Sequence, residues 1–184
     1  IGYAGSNKAE GTIAAADTFT TAIIGKAKRL ATTDSNARIR PVMVDGGKYY
    51  VMIIDPWQAR DLKKDDAWLA AQEHANERGM NNPIFTGALG LYDGVVIHEN
   101  DQISRTATGA TNVKVGHALF LGAQACAFAS GSEARWDEDT FDYGNQQGFS
   151  IGRIMGIKKT QFAFDGTTAT DFGCIQVMTS SMDD

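Results

Sequence analysis

Apolar residues recur with a helical spacing near the start of the chain and alternate like strand residues further along. One apolar stripe, with spacings of four, four and three residues, is formed by Phe19, Ile23, Ala27 and Leu30. Such spacing places side chains on one face of a helix. Asp17 or Thr18 can cap the first turn. We therefore predict an amphipathic helix over residues 17–32.

A hairpin is predicted after this helix. Residues 38–44 and 48–54 are rich in β-branched and aromatic side chains, which favour strands. The segment Asp45-Gly46-Gly47 lies between them, and its glycines tolerate the positive φ angles that tight hairpin turns require. The two runs therefore read as neighbouring antiparallel strands.

Two short helices are predicted next. Asp55 suits the capping position of a helix and Pro56 its first position, where the missing N–H costs nothing. Asp65 or Asp66 can cap another helix over residues 67–78, which Gly79 ends.

The second half of the chain is dominated by strand-like segments. Asp93-Gly94 marks a turn before a strand at 95–98, and the polar residues 100–112 predict an exposed loop. Further apolar or strand-like segments are expected at 113–130, 133–136, 148–164 and 172–179. Helices in the first half and strands in the second predict an α+β fold rather than an alternating βαβ sheet.

Composition is that of one ordinary globular domain. The 184 residues are 43% hydrophobic and 21% charged, and a chain of this length buries roughly 70% of the surface that its unfolded form exposes. It therefore needs neither disulfides nor a metal for stability, and we expect no cofactor. We expect Cys126 and Cys174, which form no C-x-x-C pair, to be buried free thiols.

Charge and hydropathy exclude two classes of partner. The net charge of −5 comes with no cluster of basic residues, which disfavours sequence-specific binding to nucleic acid. No apolar run approaches the roughly 20 residues that a membrane-spanning helix needs, so no membrane partner is expected.

One motif is typical of serine hydrolases. Gly148-Phe149-Ser150-Ile151-Gly152 fits the G-x-S-x-G nucleophile elbow. An elbow of that kind needs a later histidine as base and a helix directly after the serine. All three histidines, His74, His98 and His117, precede Ser150, and the flanking sequence continues as strand. A serine esterase remains the alternative from another functional class.

Other motifs are weaker. Gly46-Gly47-Lys48 resembles the end of a phosphate-binding loop, but the further glycine and the Ser or Thr that such a loop needs are absent. The acidic run Asp137-Glu138-Asp139 suggests a cation site, although a solvated turn is the more common meaning. Glu73, His74 and Glu77 have near-ligand spacing on one helix, but no second such helix exists. Core or interface anchors are expected at Trp57, Trp68 and Trp136.

Several long segments, in consistent order over residues 3–180, decide the interpretation. The segments that carry the match are 3–5, 12–17, 49–56 with Gln58, Arg60, Asp61, Leu62 and Trp68, then 82–90, 93–99, 118–125, 141–149 and 156–160. Together they resemble the major capsid protein family of the N-four-like tailed phages, which has the HK97-type capsid fold.

The resemblance implies a capsid-subunit core over 1–184. It would comprise a lead-in, spine helix and first strand in 1–48, an α/β axial domain in 49–130, and a β-rich peripheral domain with long strands in 131–184. It assigns no catalytic, cofactor-binding or metal-binding residue, and it leaves the residues of the subunit contacts open. The family also carries an N-terminal arm and an extended loop before the spine helix, so we expect the encoded polypeptide to be longer at its N-terminus.

The resemblance also implies what the protein does and with what. Such subunits form pentamers and hexamers of themselves, which close into an icosahedral virion shell around non-specifically held double-stranded DNA. Scaffold, portal and decoration proteins are further expected partners, and assembly is expected in the host cytoplasm. An encapsulin-like nanocompartment shell is the structural alternative.

The missing downstream histidine gives a first prediction. We expect Ser150→Ala to have no functional consequence, and we expect no serine-directed acyl probe to label the wild-type protein. Mass spectrometry of probe-treated protein is the measurement. Stoichiometric labelling at Ser150 would favour the esterase instead.

Overall fold

The computed structural model describes residues 2–4, 9–33, 38–73, 88–163, 166, 170–171 and 173–183. Its helices are α1 (Thr21–Thr33), α2 (Pro56–Leu62) and α3 (Asp66–Glu73). Its strands are β1 (Gly2–Tyr3), β2 (Val42–Val44), β3 (Gly47–Ile54), β4 (Gly90–Tyr92), β5 (Val95–Glu99), β6 (Arg105–Thr106), β7 (Val115–Leu121), β8 (Cys126–Ser130), β9 (Arg135–Phe141), β10 (Gln146–Gly152), β11 (Met155–Lys159), β12 (Gln161–Phe162), β13 (Thr170–Asp171) and β14 (Cys174–Ser180).

Eight of these strands form one mixed sheet. Its order is β1-β14-β7-β3-β5-β4, with β2 added to β3 and β6 added to β7. The pairs β1/β14 and β3/β5 are parallel, and the others are antiparallel. Alternate residues of β3 are buried, which is the pattern of a strand with one face on a core. The predicted α+β architecture is thus what the chain adopts.

One main hydrophobic core joins this sheet to α1. Its largest fully buried side chains include Phe19, Ile24, Met52 and Phe120. Tyr50 packs on Phe120 with ring centroids 5.0 Å apart, and its hydroxyl donates to the Ile39 carbonyl at 3.1 Å. Burial raises the pKa of Tyr50. The core therefore forms within the first half of the chain plus β7 and β14.

Helix α1 differs from the predicted helix in both start and face. It begins at Thr21 rather than at residue 17, so Asp17 and Thr18 precede its first turn. The cap comes from Asp65, whose carboxylate accepts hydrogen bonds from the backbone N–H and the hydroxyl of Thr21 at 2.7 and 2.8 Å. Ala31 is buried while Leu30 is 38% exposed, because the face set by Ile23 and Ala27 continues to Ala31 one turn later.

Both predicted Asp-Gly turns are confirmed. Asp45 and Gly46 connect β2 to β3, and Asp93 and Gly94 connect β4 to β5, all with positive φ. Two central residues with positive φ define the hairpin turn whose twist matches that of the flanking strands. The Lys28 ammonium lies 2.7 Å from the Asp93 carboxylate and ties α1 to the second turn.

The predicted cap of α2 is confirmed and belongs to a buried polar network. The Asp55 carboxylate accepts from the N–H groups of Trp57 and Gln58, and the Gln58 side chain accepts from the N–H of Asp55, which completes a capping box. The Gln58 amide also donates to the Gly116 carbonyl at 3.1 Å and to the Thr179 hydroxyl at 2.7 Å. This network fastens α2 to β7 and β14.

Asp65 caps α3 as well, as the sequence predicts, by accepting from the N–H of Ala67 at 3.1 Å. One carboxylate therefore serves the first turns of two helices. Burial raises the pKa of Asp65, but the hydrogen bonds from Thr21 and Ala67 outweigh this, so its pKa is lowered overall. The predicted end of this helix, at residues 74–79, lies outside the described residues.

Three expectations for the second half need correction. The 100–112 segment is not simply an exposed loop, because β6 pairs with β7 and the Ala110 N–H donates to the Ile13 carbonyl. The long strand expected at 148–164 is divided among β10, β11 and β12. The last strand, β14, lies in the large sheet between β1 and β7, so residues 131–184 do not all belong to one group of strands.

The crowding around Gly116 gives a second prediction. A Cβ atom at Gly116 would lie 2.6 Å from the Asp55 carboxylate and 2.8 Å from the Gln58 amide. We expect Gly116→Ala to lower the free energy of unfolding by about 2 kcal/mol, because the buried network must break or shift. Gly156→Ala, at a strand position with nothing within 4 Å, is the control and should change it by less than about 0.5 kcal/mol. Urea unfolding measures both; equal effects would contradict the role of the network.

The double cap gives a third prediction, on pH. Because folding lowers the pKa of Asp65, its carboxylate stabilises the fold above the ordinary aspartate pKa, and this contribution is lost as pH falls through the lowered value. We expect Asp65→Asn to lower the free energy of unfolding by about 1 kcal/mol at pH 7, and by progressively less below about pH 4. The exposed turn variant Asp45→Asn should show neither effect. A cost for Asp65→Asn that is independent of pH would contradict the carboxylate cap.

Candidate functional site: an exposed β-ribbon

A two-stranded ribbon extends from the large sheet and is the most unusual surface of the described chain. Its inner half pairs β8 with β11, and its outer half pairs β9 with β10. The tip turns through Asp142, Tyr143 and Gly144, all with positive φ. From residue 126 to 159, no residue of the ribbon is buried. The two strands run over residues 126–141 and 146–159, which gives a length of up to about 50 Å.

A joint separates the two halves. Residues 131–134 on one strand face only 153–154 on the other, so the joint inserts two extra residues. The Ile154 carbonyl accepts the N–H groups of both Gly131 and Ser132, at 2.8 and 3.2 Å, and the Ile154 N–H donates to the Ser132 hydroxyl. This is a β-bulge-like feature, which bends a strand and increases its twist. It explains why the predicted long strand is interrupted.

One face of the ribbon is apolar. In the outer half Trp136 pairs with Ile151, and Phe149 lies diagonally beside Trp136 with the rings stacked 5.3 Å apart at an interplanar angle of 5°. In the inner half Phe128 pairs with Ile157, and Met155 lies two residues along. We call this the apolar face, defined by Phe128, Trp136, Phe149, Ile151, Met155 and Ile157; each of these side chains is at least 55% exposed.

The opposite face of the outer half is mainly acidic, although the exposed Phe141 also lies on it. It carries Asp137 and Asp139 on β9, and the guanidinium of Arg135 lies 2.8 Å from the Asp137 carboxylate. Asp137 and Asp139 lie on the same face of β9, as expected for alternate residues of a strand. In the described residues, no group of three or more His, Cys, Asp and Glu side chains is arranged to hold a metal ion.

Ser150 lies on this polar face, directly opposite Asp137, in the middle of β10. It is exposed, and the chain continues from it into further strand, as the sequence predicts. A nucleophile elbow places its serine at a sharp strand-to-helix turn. The G-x-S-x-G sequence therefore forms part of an exposed strand here and not a nucleophile elbow.

His117 belongs to a separate cluster on the large sheet. Its Nε2 lies 2.8 Å from the Thr106 hydroxyl and 3.3 Å from the Glu10 carboxylate, and its Nδ1 lies 2.7 Å from the Gln176 amide. The pKa of Glu10 is lowered overall. The hydrogen bond from Thr108 is the largest cause, and burial opposes it. A hydrogen bond from Thr106 and the charge of His117 also lower this pKa. The cluster fastens the 3-10 turn at residues 10–12 to β6, β7 and β14.

The remaining candidates from the sequence lie apart from one another. Gly46-Gly47-Lys48 forms the β2–β3 turn and the start of β3. Trp68 is buried, whereas Trp57 lies half-buried beneath the guanidinium groups of Arg60 and Arg105. Glu73 ends the described part of α3, while His74 and Glu77 lie outside the described residues.

Both cysteines are free, but they are less buried than expected. Cys126 is exposed on the inner half of the ribbon and Cys174 is half-buried at the start of β14. The expectation of burial is wrong for Cys126 because this residue begins β8, a strand of the exposed ribbon.

Sequence reasoning missed the apolar face. The signal was present as alternation at Phe149 and Ile151 and at Met155 and Ile157, which alone reads as a half-buried strand. Only the pairing partners reveal that these strands form a two-stranded ribbon, which among the described residues has no further layer packed on it. Among the described helices, none has the length and apolar character needed to cross a membrane.

Comparisons with known proteins converge. The model of the phage capsid protein family matches residues 2–182. A major capsid protein of Pseudomonas phage KPP25 is 37% identical over 183 residues, covering 93% of this chain and 48% of that protein. The chain therefore spans about half the length of this curated relative.

Solved structures give the same result. The capsid of Ralstonia phage GP4 matches with a TM-score of 0.78 and 32% identity, over all of this chain and 53% of that one. The capsid of Cyanophage Pam1 matches with a TM-score of 0.73 and 27% identity, over 95% of this chain and 50% of that one.

Proposed function

The chain belongs to the phage capsid protein family, and on that premise we propose that it is a structural subunit of an icosahedral bacteriophage capsid. The fold expected from the sequence, α+β of the HK97 type, is confirmed by its likeness to solved phage capsids. The family model and both solved structures concern phages, which favours a virion shell over the encapsulin-like alternative.

The observation that carries the proposal is the apolar face of the ribbon. Large apolar patches are rare on monomeric soluble proteins and mark surfaces that pack against something else. An isolated two-stranded hairpin is at best marginally stable in water. A ribbon of about 50 Å whose six large apolar side chains face solvent therefore needs a covering surface. In a shell, neighbouring subunits supply that surface.

We propose that these neighbours are copies of the same protein arranged in pentamers and hexamers. Scaffold, portal and decoration proteins are further proposed partners, with assembly in the host cytoplasm. The enclosed double-stranded DNA would be held without sequence specificity. The net charge of −5 supports this last point, because tight binding to phosphates requires clustered Lys and Arg.

We propose a division of labour within the chain that modifies the one expected from the sequence. The large sheet with α1, α2 and α3 is the rigid unit, comprising the spine helix and the axial-domain-like region together with β14. The ribbon over residues 126–159 supplies the peripheral element. The buried network at Gln58 supports this division, because it binds β7, which precedes the ribbon in the chain, and β14, which follows it.

We also propose that the protein catalyses no reaction. The relatives with which it shares sequence are named as capsid proteins. Within the described residues, Ser150 has no histidine contact, and the contacts of His117 are to Thr106, Glu10 and Gln176. The Thr106 hydroxyl does lie 2.8 Å from the His117 Nε2, but this hydroxyl donates its proton to the Glu10 carboxylate, so the imidazole is not placed as its base.

Neighbouring residues on opposite faces of β10 provide a fourth prediction. In the complete coat polypeptide, Ile151→Asn should reduce the yield of closed particles about ten-fold or more, because it puts a polar amide into a packed apolar contact. Ser150→Asn introduces the same side chain one residue away on the polar face and should leave the yield unchanged. Sedimentation and negative-stain microscopy of the particles measure the yield.

Two outcomes would overturn the proposal. Equal particle yields for the two variants would show that the apolar face is not an assembly contact. A wild-type polypeptide that forms no shell under any assembly condition tested, with its scaffold and portal co-expressed, would contradict the proposed function itself.

A further inference from the structure

The chain just before α1 lies against one face of the large sheet; we call residues 9–17 the pre-helix segment. Within it, Ile13 is fully buried and packs with Val115 of β7 and Met178 of β14 in a small hydrophobic cluster. The Ile13 carbonyl also accepts the N–H of Ala110 at 2.9 Å. Ile13 thus anchors the middle of the segment, and a second, polar contact holds its start.

The polar contact joins Glu10 to His117 of β7. The Nε2 of His117 lies 3.3 Å from one carboxylate oxygen of Glu10, and that oxygen also accepts hydrogen bonds from the hydroxyls of Thr106, at 2.9 Å, and Thr108. The side chains of His117 and Glu10 are 12% and 28% exposed. On the far side of the ring, Nδ1 lies 2.7 Å from the side-chain nitrogen of Gln176. We call these five side chains the histidine clasp.

The hydrogen bonds of the clasp suit a neutral imidazole. The Thr106 hydroxyl gives its proton to Glu10, so it accepts the Nε2–H of His117 at 2.8 Å. Nδ1 then carries no proton and accepts from the Gln176 amide. Both ring nitrogens are satisfied, yet the Glu10 carboxylate faces a ring without charge.

Protonation changes the balance of these contacts. A second ring proton, on Nδ1, needs an acceptor, and the Gln176 amide supplies one when it rotates to present its oxygen. The imidazolium then lies 3.3 Å from the Glu10 carboxylate in a mostly buried site, where salt screens the attraction less than at the surface. We propose that the histidine clasp is pH-responsive, and that protonation of His117 tightens the hold of the sheet on the pre-helix segment through Glu10. This inference goes beyond the proposed function and does not depend on it.

Glu10 stays charged over the range in which the clasp acts. Its pKa is lowered, chiefly by the hydrogen bond from Thr108, whereas burial opposes the shift. Histidine ordinarily changes charge between about pH 5 and about pH 8. The ion pair is therefore present on the acid side of this range and is lost as pH rises through it. At still lower pH it is lost again, once Glu10 takes up a proton.

Other charged groups around the clasp have contacts elsewhere. Arg105 of β6 and Lys114, just before β7, both bind a carboxylate beyond the end of β14. The carboxylate of Asp17 accepts an N–H within the pre-helix segment. Cys174 is the titratable residue of β14, and thiols are ordinarily neutral in this pH range. Within the part of the chain that the structure describes, the charge that the imidazole contacts is therefore that of Glu10.

Hydrogen exchange of the pre-helix segment tests the clasp. The N–H groups of Thr12 and Ile13 bond within the 3-10 turn that Glu10 begins, so their exchange reports the opening of that turn. In free subunits of the complete coat polypeptide, after correction for intrinsic exchange rates, we expect their protection to be about five-fold greater at about pH 5.5 than at about pH 7.5. Equal protection at the two pH values, or greater protection at the higher one, would overturn the proposal.

Three variants separate the clasp from other titrating groups. Glu10→Gln keeps an acceptor for the threonine hydroxyls and removes the charge, and His117→Gln removes the titrating ring; both should abolish the pH dependence. His98→Gln, on β5, removes a histidine outside the clasp and should retain the pH dependence. A pH dependence that survives in Glu10→Gln, or that disappears in His98→Gln, would contradict the clasp.

Gln176 provides a readout that a merely structural role would not move. The pH midpoint of protection should rise by about one unit in Gln176→Glu, because a carboxylate beside Nδ1 favours the charged ring. It should fall in Gln176→Met, whose side chain has a similar length and no oxygen to accept the second proton. Identical midpoints in the two variants would overturn the proposal, even if both proteins fold and keep the segment in place.

Discussion

A two-stranded ribbon has two faces and no interior, and this constraint governs the interpretation of the chain. Apolar side chains between two packed layers are buried, but those on an uncovered ribbon stay in contact with solvent. The rings of Trp136 and Phe149 stack on each other, and each side chain is still more than half exposed. At roughly 25 cal/mol per Å² of apolar surface removed from water, covering six such side chains is a substantial source of free energy. That free energy becomes available when a further surface covers the apolar face.

The rest of the fold supplies the rigid base from which the ribbon extends. The chain leaves the large sheet after β7 and returns to it as β14, which pairs with β7 over seven residues. Gln58 binds both of these strands, and Asp55 accepts a hydrogen bond from the Ser181 hydroxyl at 2.5 Å just beyond β14. Residues far apart in sequence thus fix the base of the ribbon, whereas the hydrogen bonds seen at the joint near Ile154 lie within the ribbon itself.

Local signals in the sequence predicted local structure well. The Asp-Gly turns at 45–46 and 93–94 and the cap at Asp55 each depend on residues within a few positions of one another. The start of α1 could not be predicted in that way, because its cap is Asp65, 44 residues later. The resemblance gave the family and fold. The apolar face could not be predicted, since alternation at Phe149 and Ile151 is equally typical of a strand whose inner face is covered.

The central claim is that neighbouring subunits cover the apolar face. Two methionines with nearly equal exposure test it: Met155 on the apolar face is 60% exposed and Met43 on β2 is 59% exposed. Hydroxyl-radical oxidation, read by mass spectrometry, can compare both residues in free subunits and in closed particles. The account predicts similar oxidation of the two in free subunits, and strong protection of Met155 relative to Met43 in particles. Equal oxidation of Met155 in free subunits and closed particles would contradict it.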